Sequence, residues 1–182
     1  MDIYLVRHGE AAASWSQSED PGLSERGLRQ ARSAADELSG VVPQGVRLVS
    51  SPLARAMETA APLVERLSSP LEINEAFREI PAPVPLPRRQ DWLRAFMRQV
   101  WSDQPPMLWE WRDRILQHLS GSGAPVVIFT HFLVINTVVG EVMRRDETLS
   151  FWPDNGSITH LRKRDGALEL IALGREMDTA VN

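Results

Sequence analysis

The segment "YLVRHGE" at residues 4–10 places a cation, an imidazole and a carboxylate directly after an apolar run. Arg7 and His8 are adjacent, and Glu10 follows two residues later. Arginine presents paired planar donors that match the oxygens of a phosphate. A neutral imidazole, whose ordinary pKa is about 6.5, is a competent nucleophile at neutral pH. The segment therefore indicates chemistry on an anionic ligand, and the partners that such chemistry needs must come from elsewhere in the chain.

Three further residues of suitable type follow other predicted strands. Arg55 comes shortly after "VRLVSS" at 46–51, His131 comes directly after "VVIFT" at 126–130, and Glu79 lies beyond a third strand region. In an open parallel sheet, ligands bind beyond the carboxyl ends of the strands. We therefore expect two histidines, two arginines and the carboxylates of Glu10 and Glu79 to converge at one end of the sheet.

This set of side chains is suited to phosphoryl transfer. The Gly9 carbonyl could hold one ring nitrogen of His8 and so fix a single tautomer. A carboxylic acid at the edge of the site could protonate a leaving oxygen. Positioning and charge stabilisation would lower the barrier for the transferring group. The residues together predict transfer through a covalent phosphohistidine.

A metal site is the rival interpretation. His8, His131, Glu10 and Glu79 are all metal-ligand types, but no HExxH spacing occurs, and the neighbouring arginines would repel a cation. The chain also has no GxxxxGK[ST] loop and no GxSxG elbow. We therefore expect neither a metal nor another cofactor.

Strands and helices alternate along the chain, which predicts a mainly parallel sheet with helices on both faces, a three-layer α/β fold. The predicted helices span 23–40, 52–69 and 132–145, the third strand spans 71–77, and a terminal hairpin turns at Asp165-Gly166. The length of 182 residues fits a single domain over 1–182.

Residues 80–106 interrupt this alternation. Four prolines at 81, 83, 85 and 87 exclude a helix there, and apolar spacing then predicts one over 91–101. We expect a small helical cap that leaves the sheet and covers the site. The tryptophans of 92–111 could form a lid, pack in the core or line a homodimer interface.

Composition narrows the classes of function. The net charge is −4, from 20 basic and 24 acidic residues, so binding of nucleic acid is not expected. The absence of cysteine excludes disulfides and thiolate chemistry. No apolar run is long enough to span a membrane, and the first residues do not read as a signal peptide, so we expect a cytoplasmic protein.

Several segments resemble, in order, those of the histidine phosphatase superfamily, whose fold is that of phosphoglycerate mutase. They are "LVRHGE" (5–10), "LSERGLRQA" (23–31), "SSPLARAMETA" (50–60), "VVIFTHFLVI" (126–135) and "NGSIT" (155–159). The resemblance covers nearly the whole chain except 80–125. RHG alone is a weak signal, but the ordered combination is highly specific.

The resemblance implies roles for individual residues. His8 is the nucleophile that becomes phosphorylated, and Arg7, Arg55 and His131 form the phosphate pocket. Glu79 resembles the proton donor of the family, with Glu75 as the competing candidate. Candidates for supporting or substrate contacts are Glu10, Ser14 and Ser16. His118 and His160 match no motif and are predicted to be structural or surface residues, with His160 facing solvent.

The segment "AAASWS" and the region after Glu79 depart from many relatives, so the resemblance leaves the substrate open. A mutase needs fixed cations for a second anionic group, and Arg88, Arg89, Arg94 and Arg98 are candidates. The apolar stripe beside them favours hydrolysis of a small phosphorylated metabolite or a phosphoprotein. The alternatives are a mutase, a phosphohistidine-protein phosphatase and a phospho-ligand binding module without catalysis.

Overall fold

The computed structural model describes residues 1–14 and 17–177 of the chain. Within them, six strands form one sheet: β1 (Asp2–Arg7), β2 (Arg47–Ser50), β3 (Leu71–Ile73), β4 (Val126–Thr130), β5 (Ile158–Arg164) and β6 (Ala167–Ala172). Their order across the sheet is β3-β2-β4-β1-β5-β6. Strands β1 to β4 run parallel to one another. Strand β5 pairs antiparallel with β1, and β6 pairs antiparallel with β5. The predicted mainly parallel sheet is confirmed.

The central strands are apolar on both faces, which is why helices cover both. In β1, Ile3 and Leu5 pack on one face and Tyr4 and Val6 on the other. The side chains of β4 alternate in the same way. Burial on both faces explains the continuous apolar runs seen in the sequence.

Helices α1 (Glu25–Ser39) and α2 (Ala54–Leu67) cover the face of Tyr4 and Val6. Helices α4 (Pro106–Gly121) and α5 (Phe132–Val142) cover the other face. Ser24 caps α1 by accepting a hydrogen bond from the backbone N–H of Gly27 at 3.0 Å, as predicted. This arrangement confirms the three-layer α/β fold.

Two predicted boundaries were wrong. The third strand ends at Ile73, because the Asn74 side chain accepts a hydrogen bond from Ala76 N and starts a 3₁₀ turn. The helix of the excursion, α3, spans only Arg89–Phe96. Two hydrogen bonds hold the chain at and after this end on the loop that follows α5: Thr148 Oγ1 donates to Phe96 O at 2.5 Å, and Trp101 N donates to Asp146 O at 2.6 Å.

The tryptophan-rich segment is mainly core. Trp101 is 2% exposed, stacks on Trp111 and meets Phe96 edge-on. The guanidinium of Arg112 lies over the rings of Trp101 and Trp109, at 5.2 and 4.6 Å from their centroids. Trp101, Trp111 and Phe96 belong to the same apolar cluster as the sheet face under α4 and α5.

The two histidines without an assigned role, His118 and His160, have different surroundings. His160 does not face solvent as predicted, because it stacks on Tyr4 at 4.5 Å and its Nε2 lies 2.8 Å from Asp2 Oδ1. His118 is exposed on α4. The terminal hairpin turns at Asp165 and Gly166, which both have positive φ, as predicted. No helix among the described residues has the length and apolar character needed to cross a membrane.

Candidate active site

A cavity of about 500 Å³ opens at the carboxyl ends of the parallel strands. Its lining combines the polar side chains around His8 with a set of apolar side chains. The residues that line it are Arg7, His8, Glu10, Ala11, Ala13, Ser14, Pro21, Arg55, Glu79, Leu93, Met97, Phe132, Leu133, Trp152, Asn155 and Met177. The position agrees with the rule for ligand sites in open α/β sheets.

His8 stands immediately after β1 with its ring fixed at both nitrogens. Its Nδ1 lies 2.7 Å from the carbonyl oxygen of Gly9, so this nitrogen carries the proton. Its Nε2 accepts a hydrogen bond from Nε of Arg55 at 3.2 Å. The ring is therefore a neutral imidazole whose Nε2 lone pair faces the guanidinium of Arg55.

Arg7 precedes His8 at the end of β1. Its Nη1 donates to the carbonyl of Pro153 at 2.7 Å, and its guanidinium lies 5.1 Å from the ring centroid of Phe132. Burial lowers the pKa of Arg7 to about 10, so the side chain stays cationic at neutral pH. Arg7 Nε is buried and has no hydrogen-bond partner among residues 1–14 and 17–177.

Arg55 lies in the first turn of α2 and is 5% exposed. Beyond its contact with His8, its Nη1 lies 4.0 Å from Asp20 Oδ1, too far for a hydrogen bond. Nη1 has no hydrogen-bond partner in the described part of the chain. A buried guanidinium with an unused donor is costly unless an anion binds there.

His131 follows β4 directly and is 0% exposed. Its ring centroid lies 5.2 Å from that of His8, and its Nε2 lies 2.7 Å from Oγ of Ser51. Its Nδ1 is buried without a partner among the described residues. The ring thus stands behind the cavity wall beside His8, with one nitrogen unused.

Glu79 places its carboxylate in the cavity. Oε1 accepts a hydrogen bond from Ile80 N at 2.9 Å, and Oε2 accepts a longer one, 3.4 Å, from Leu133 N at the start of α5. Glu75, the competing candidate, is exposed, pairs with Arg78 at 3.3 Å and does not line the cavity. Only Glu79 of the two is therefore placed to reach a ligand beside His8.

Burial shifts the pKa values of these groups in opposite directions. Burial, reinforced by the neighbouring Arg55 and Arg7, holds the pKa of His8 well below its usual value. Burial and the nearby His8 and Arg55 do the same for the pKa of His131. Burial raises the pKa of Glu79, although two backbone N–H groups and both arginines oppose the shift. The site therefore combines neutral imidazoles with a carboxyl group that keeps its proton to higher pH.

Two of the three candidates for supporting or substrate contacts, Glu10 and Ser14, line the cavity. Glu10 lines the cavity and accepts a hydrogen bond from the Ser24 hydroxyl at 2.7 Å. Ser14 also lines the cavity, while Ser16 lies outside the described residues. No group of three or more His, Asp or Glu side chains within 1–14 and 17–177 is arranged to hold a metal ion.

Sequence reasoning assigned no role to three side chains that support the site. Thr59 accepts a hydrogen bond from Gly9 N at 2.9 Å and donates one to the carbonyl of Arg55 at 2.6 Å. Ser51 holds His131, and Asn155 donates from Nδ2 to the carbonyl of His8 at 3.0 Å. The spacing of Arg55 and Thr59, one helical turn apart, is the signal that could have identified Thr59.

A histidine beside two arginines at the carboxyl ends of a parallel sheet suits an anionic ligand such as phosphate. The model of the histidine phosphatase superfamily (branch 1) matches residues 3–175. The chain belongs to this superfamily, and the resemblance found in the sequence is confirmed. No curated protein sequence matches the chain significantly.

Solved structures share the fold at low sequence identity. A mycobacterial glucosyl-3-phosphoglycerate phosphatase has a TM-score of 0.76 and 22% identity, with 97% of this chain and 99% of that chain covered. An Entamoeba histolytica phosphoserine phosphatase in complex with 3-phosphoglyceric acid has a TM-score of 0.73 and 20% identity, over 97% and 98% of the chains. A protein from Thermus thermophilus has a TM-score of 0.63 and 26% identity, over 97% and 100% of the chains.

Proposed function

We propose that the protein is a metal-independent phosphomonoester hydrolase that acts through a phosphohistidine formed on His8. The observation that carries this proposal is the state of His8. Its Nδ1–H bonds the Gly9 carbonyl, so the lone pair of Nε2 points to the Arg55 guanidinium. A binding module would need the arginines, but it would not need a nucleophile held in this way.

In the first step, Arg55 turns its Nε donor from His8 to the phosphoryl group, which frees the lone pair of His8 Nε2. Nε2 then attacks phosphorus, and the bond to the ester oxygen breaks. Arg7 Nε and Arg55 Nη1, two buried nitrogens with no hydrogen-bond partner among the described residues, supply contacts to the phosphoryl oxygens. His131, whose ring lies 5.2 Å from that of His8, completes the phosphate pocket from behind this wall. Glu79 gives its proton to the leaving oxygen, which the raised pKa of its carboxyl group favours.

In the second step, a water oxygen attacks the phosphohistidine. The N–P bond breaks and returns the lone pair to Nε2 of His8. Glu79, now a carboxylate, takes the proton that the attacking water loses, so the enzyme regains its starting state. Phosphate and an alcohol are the products, and atoms and protons balance over the two steps.

Solved relatives support hydrolysis of small phosphorylated compounds as the coarse activity. The glucosyl-3-phosphoglycerate phosphatase and the phosphoserine phosphatase share the fold across nearly the whole chain. Phosphate transfer within one substrate and action on phosphohistidine proteins have no comparable support among these relatives. We also propose that residues 80–106 form a cap on the site, because Leu93 and Met97 line the cavity. Cytoplasmic location and a homodimer stay predictions.

Substitution of the nucleophile tests the mechanism. His8→Ala should abolish both phosphate release from small esters and acid-labile labelling of the protein by phosphate, since the proposed intermediate forms on His8. His118→Ala is the matched control, because His118 is exposed on α4 and lies outside the cavity. Phosphate release by His8→Ala at the wild-type rate would contradict the proposed mechanism.

A further inference from the structure

Six apolar side chains form one part of the cavity lining, called here the apolar end. Its wall consists of Leu93, Met97, Phe132, Leu133, Trp152 and Met177. The rings of Phe132 and Trp152 lie 5.5 Å apart at 53°, and the backbone N–H of Met177 donates to the carbonyl of Trp152 at 2.9 Å. Trp152 is 37% exposed at the rim, whereas Phe132 is 8% exposed. A flat apolar group could therefore contact ring and thioether surfaces on several sides.

One cation borders the apolar end: the Arg7 guanidinium lies 5.1 Å from the ring centroid of Phe132, and its Nη1 lies 3.4 Å from Sδ of Met177. Among the described residues that line the cavity, only Arg7 and Arg55 are cationic, and both lie beside His8. The four arginines of the excursion that could have bound a second anionic group, at 88, 89, 94 and 98, do not line it. Arg94 lies instead 3.7 Å from Asp91 on the exposed side of α3.

The remaining ionisable side chains of the lining are unfavourable to a second anion. Glu10 and Glu79 are both carboxylic acids, and His8 is neutral. Once the phosphate has occupied Arg7 and Arg55, a substrate carboxylate would lose water without gaining a cation. An uncharged apolar group has no comparable cost of desolvation, and its transfer from water to the apolar end is favourable in free energy.

We propose that the substrate is the phosphate monoester of an uncharged alcohol that carries an apolar group, and that Leu93, Met97 and Trp152 select it. The cavity of about 500 Å³ has the size of a small-molecule site. The inference rests on the phosphatase function proposed above and adds the chemical class of its substrate. Esters with a carboxylate or a second phosphate are poor substrates.

Three primary alkyl phosphates test this selectivity without a difference in leaving-group type: 2-phenylethyl phosphate, glycerol 3-phosphate and 3-phosphoglycerate. We expect kcat/KM to fall in that order, with at least about tenfold between the first and the last, because hydrophobic contacts commonly discriminate by this much. Equal values, or faster hydrolysis of 3-phosphoglycerate, would overturn the proposal.

A charge placed in the apolar wall should invert the preference. Leu93→Arg should lower kcat/KM for 2-phenylethyl phosphate and raise it for 3-phosphoglycerate, moving their ratio by at least about tenfold. Ala95→Arg is the matched control, since Ala95 is exposed on the same helix and does not line the cavity. An unchanged ratio in Leu93→Arg, or an equal change in Ala95→Arg, would also overturn the proposal.

Failure of the phosphatase function would be distinguishable from failure of this selectivity. If the wild-type protein released phosphate from none of the three esters, hydrolysis would be refuted, and calorimetric titration of the same protein with the same esters would decide the selectivity. Tighter binding of 2-phenylethyl phosphate than of 3-phosphoglycerate would support the apolar site. The reverse order, or no binding of either, would reject it.

Discussion

The two ends of the cavity are held in place by different forces. At the phosphate end, Arg7, His8 and His131 stand at the ends of strands, and Arg55 stands in the first turn of α2. Hydrogen bonds fix these side chains and the backbone around them. His8 N donates to Thr130 O across β1 and β4, at 3.0 Å, and Gly9 N donates to Thr59. At the apolar end, the side chains of Leu93 and Met97 pack against the apolar cluster of the core, and the ring of Trp152 packs against Phe132.

This difference indicates that chemistry and selectivity can be changed separately. Hydrogen bonds are directional, and a small displacement of a fixed polar group forfeits a large share of the stabilisation of a transition state. Apolar packing is not directional, so a side chain of similar size can replace another at small cost. Substitutions of Arg55 or of the groups that hold His8 should slow every ester alike, whereas those at the apolar end should change the ratio between apolar and anionic esters.

Arg55→Met should have a larger effect on the rate than substitution of Glu79 or Thr59. Loss of the guanidinium removes a donor to the phosphoryl group, so kcat/KM should fall by about 10³-fold for apolar and polar esters alike. The folded protein should lose little stability, because this buried cation has a donor without a partner in the described part of the chain. Steady-state kinetics with two esters and a thermal melt would measure both effects.

Arg66→Met is the control for Arg55→Met. Arg66 lies on the same helix, α2, but its side chain is 42% exposed and pairs with Asp36 outside the cavity. Arg66→Met should therefore leave kcat/KM unchanged for both esters. If Arg55→Met slowed one ester and spared the other, the separation between the two ends of the cavity would be wrong.

The phosphate end could be predicted from the sequence because strand ends are easy to locate. Arg7, His8 and His131 directly follow continuous apolar runs, and parallel strands bring their carboxyl ends to one edge. Glu79 was harder, because a 3₁₀ turn rather than a strand leads to it. The structure nevertheless places its carboxylate in the cavity and leaves that of Glu75 outside.

The apolar end could not be predicted in the same detail. The apolar spacing of 91–101 correctly indicated a helix, but the helix ends at Phe96, whose carbonyl accepts a hydrogen bond from the distant Thr148. Met177 enters the cavity from near the opposite terminus, with its Sδ 3.4 Å from Nη1 of Arg7. No local pattern indicates such contacts, because tertiary packing alone determines them.

Glu79→Gln should have the next largest effect, and only on esters with poor leaving groups. Gln cannot donate the proton that an alkoxide needs, so kcat/KM for 2-phenylethyl phosphate should fall about 10²-fold. p-Nitrophenyl phosphate, whose leaving group is stable as an anion, should be affected much less. Equal slowing of the two esters would show that Glu79 is not the proton donor.

The pH dependence should separate Glu79 from His8. The pKa of Glu79 is raised, and the acid must be protonated to act, so kcat/KM for the alkyl ester should fall as the pH rises through this raised pKa. Glu79→Gln should remove this fall. The pKa of His8 is lowered, so the nucleophile stays neutral, and no loss from its protonation is expected just below pH 6.5, its ordinary pKa. The ester phosphate itself ionises near pH 6, but this affects the wild-type protein and Glu79→Gln equally. It therefore cancels in the ratio of their kcat/KM values.

Thr59→Val should have the smallest effect and tests whether the hydrogen bonds behind His8 matter. Val has nearly the shape of Thr but leaves the buried N–H of Gly9 without its acceptor, which should cost about 1–3 kcal/mol of unfolding free energy. The carbonyl of Arg55 keeps its helical hydrogen bond, so α2 should stay intact. With the Gly9 peptide less constrained, the ring of His8 should be less well aligned, and kcat should fall about tenfold for all esters.

Thr59→Ser separates positioning by the hydroxyl group from packing by the methyl group. Ser retains the oxygen that accepts from Gly9 N and donates to the carbonyl of Arg55, so it should restore kcat while leaving a small loss of stability from the missing methyl group. KM should change little in either variant, because Thr59 does not line the cavity. Two results would contradict this role of the hydrogen bonds behind His8. One is a Thr59→Ser variant as slow as Thr59→Val, and the other is a Thr59→Val variant with a changed ratio between apolar and anionic esters.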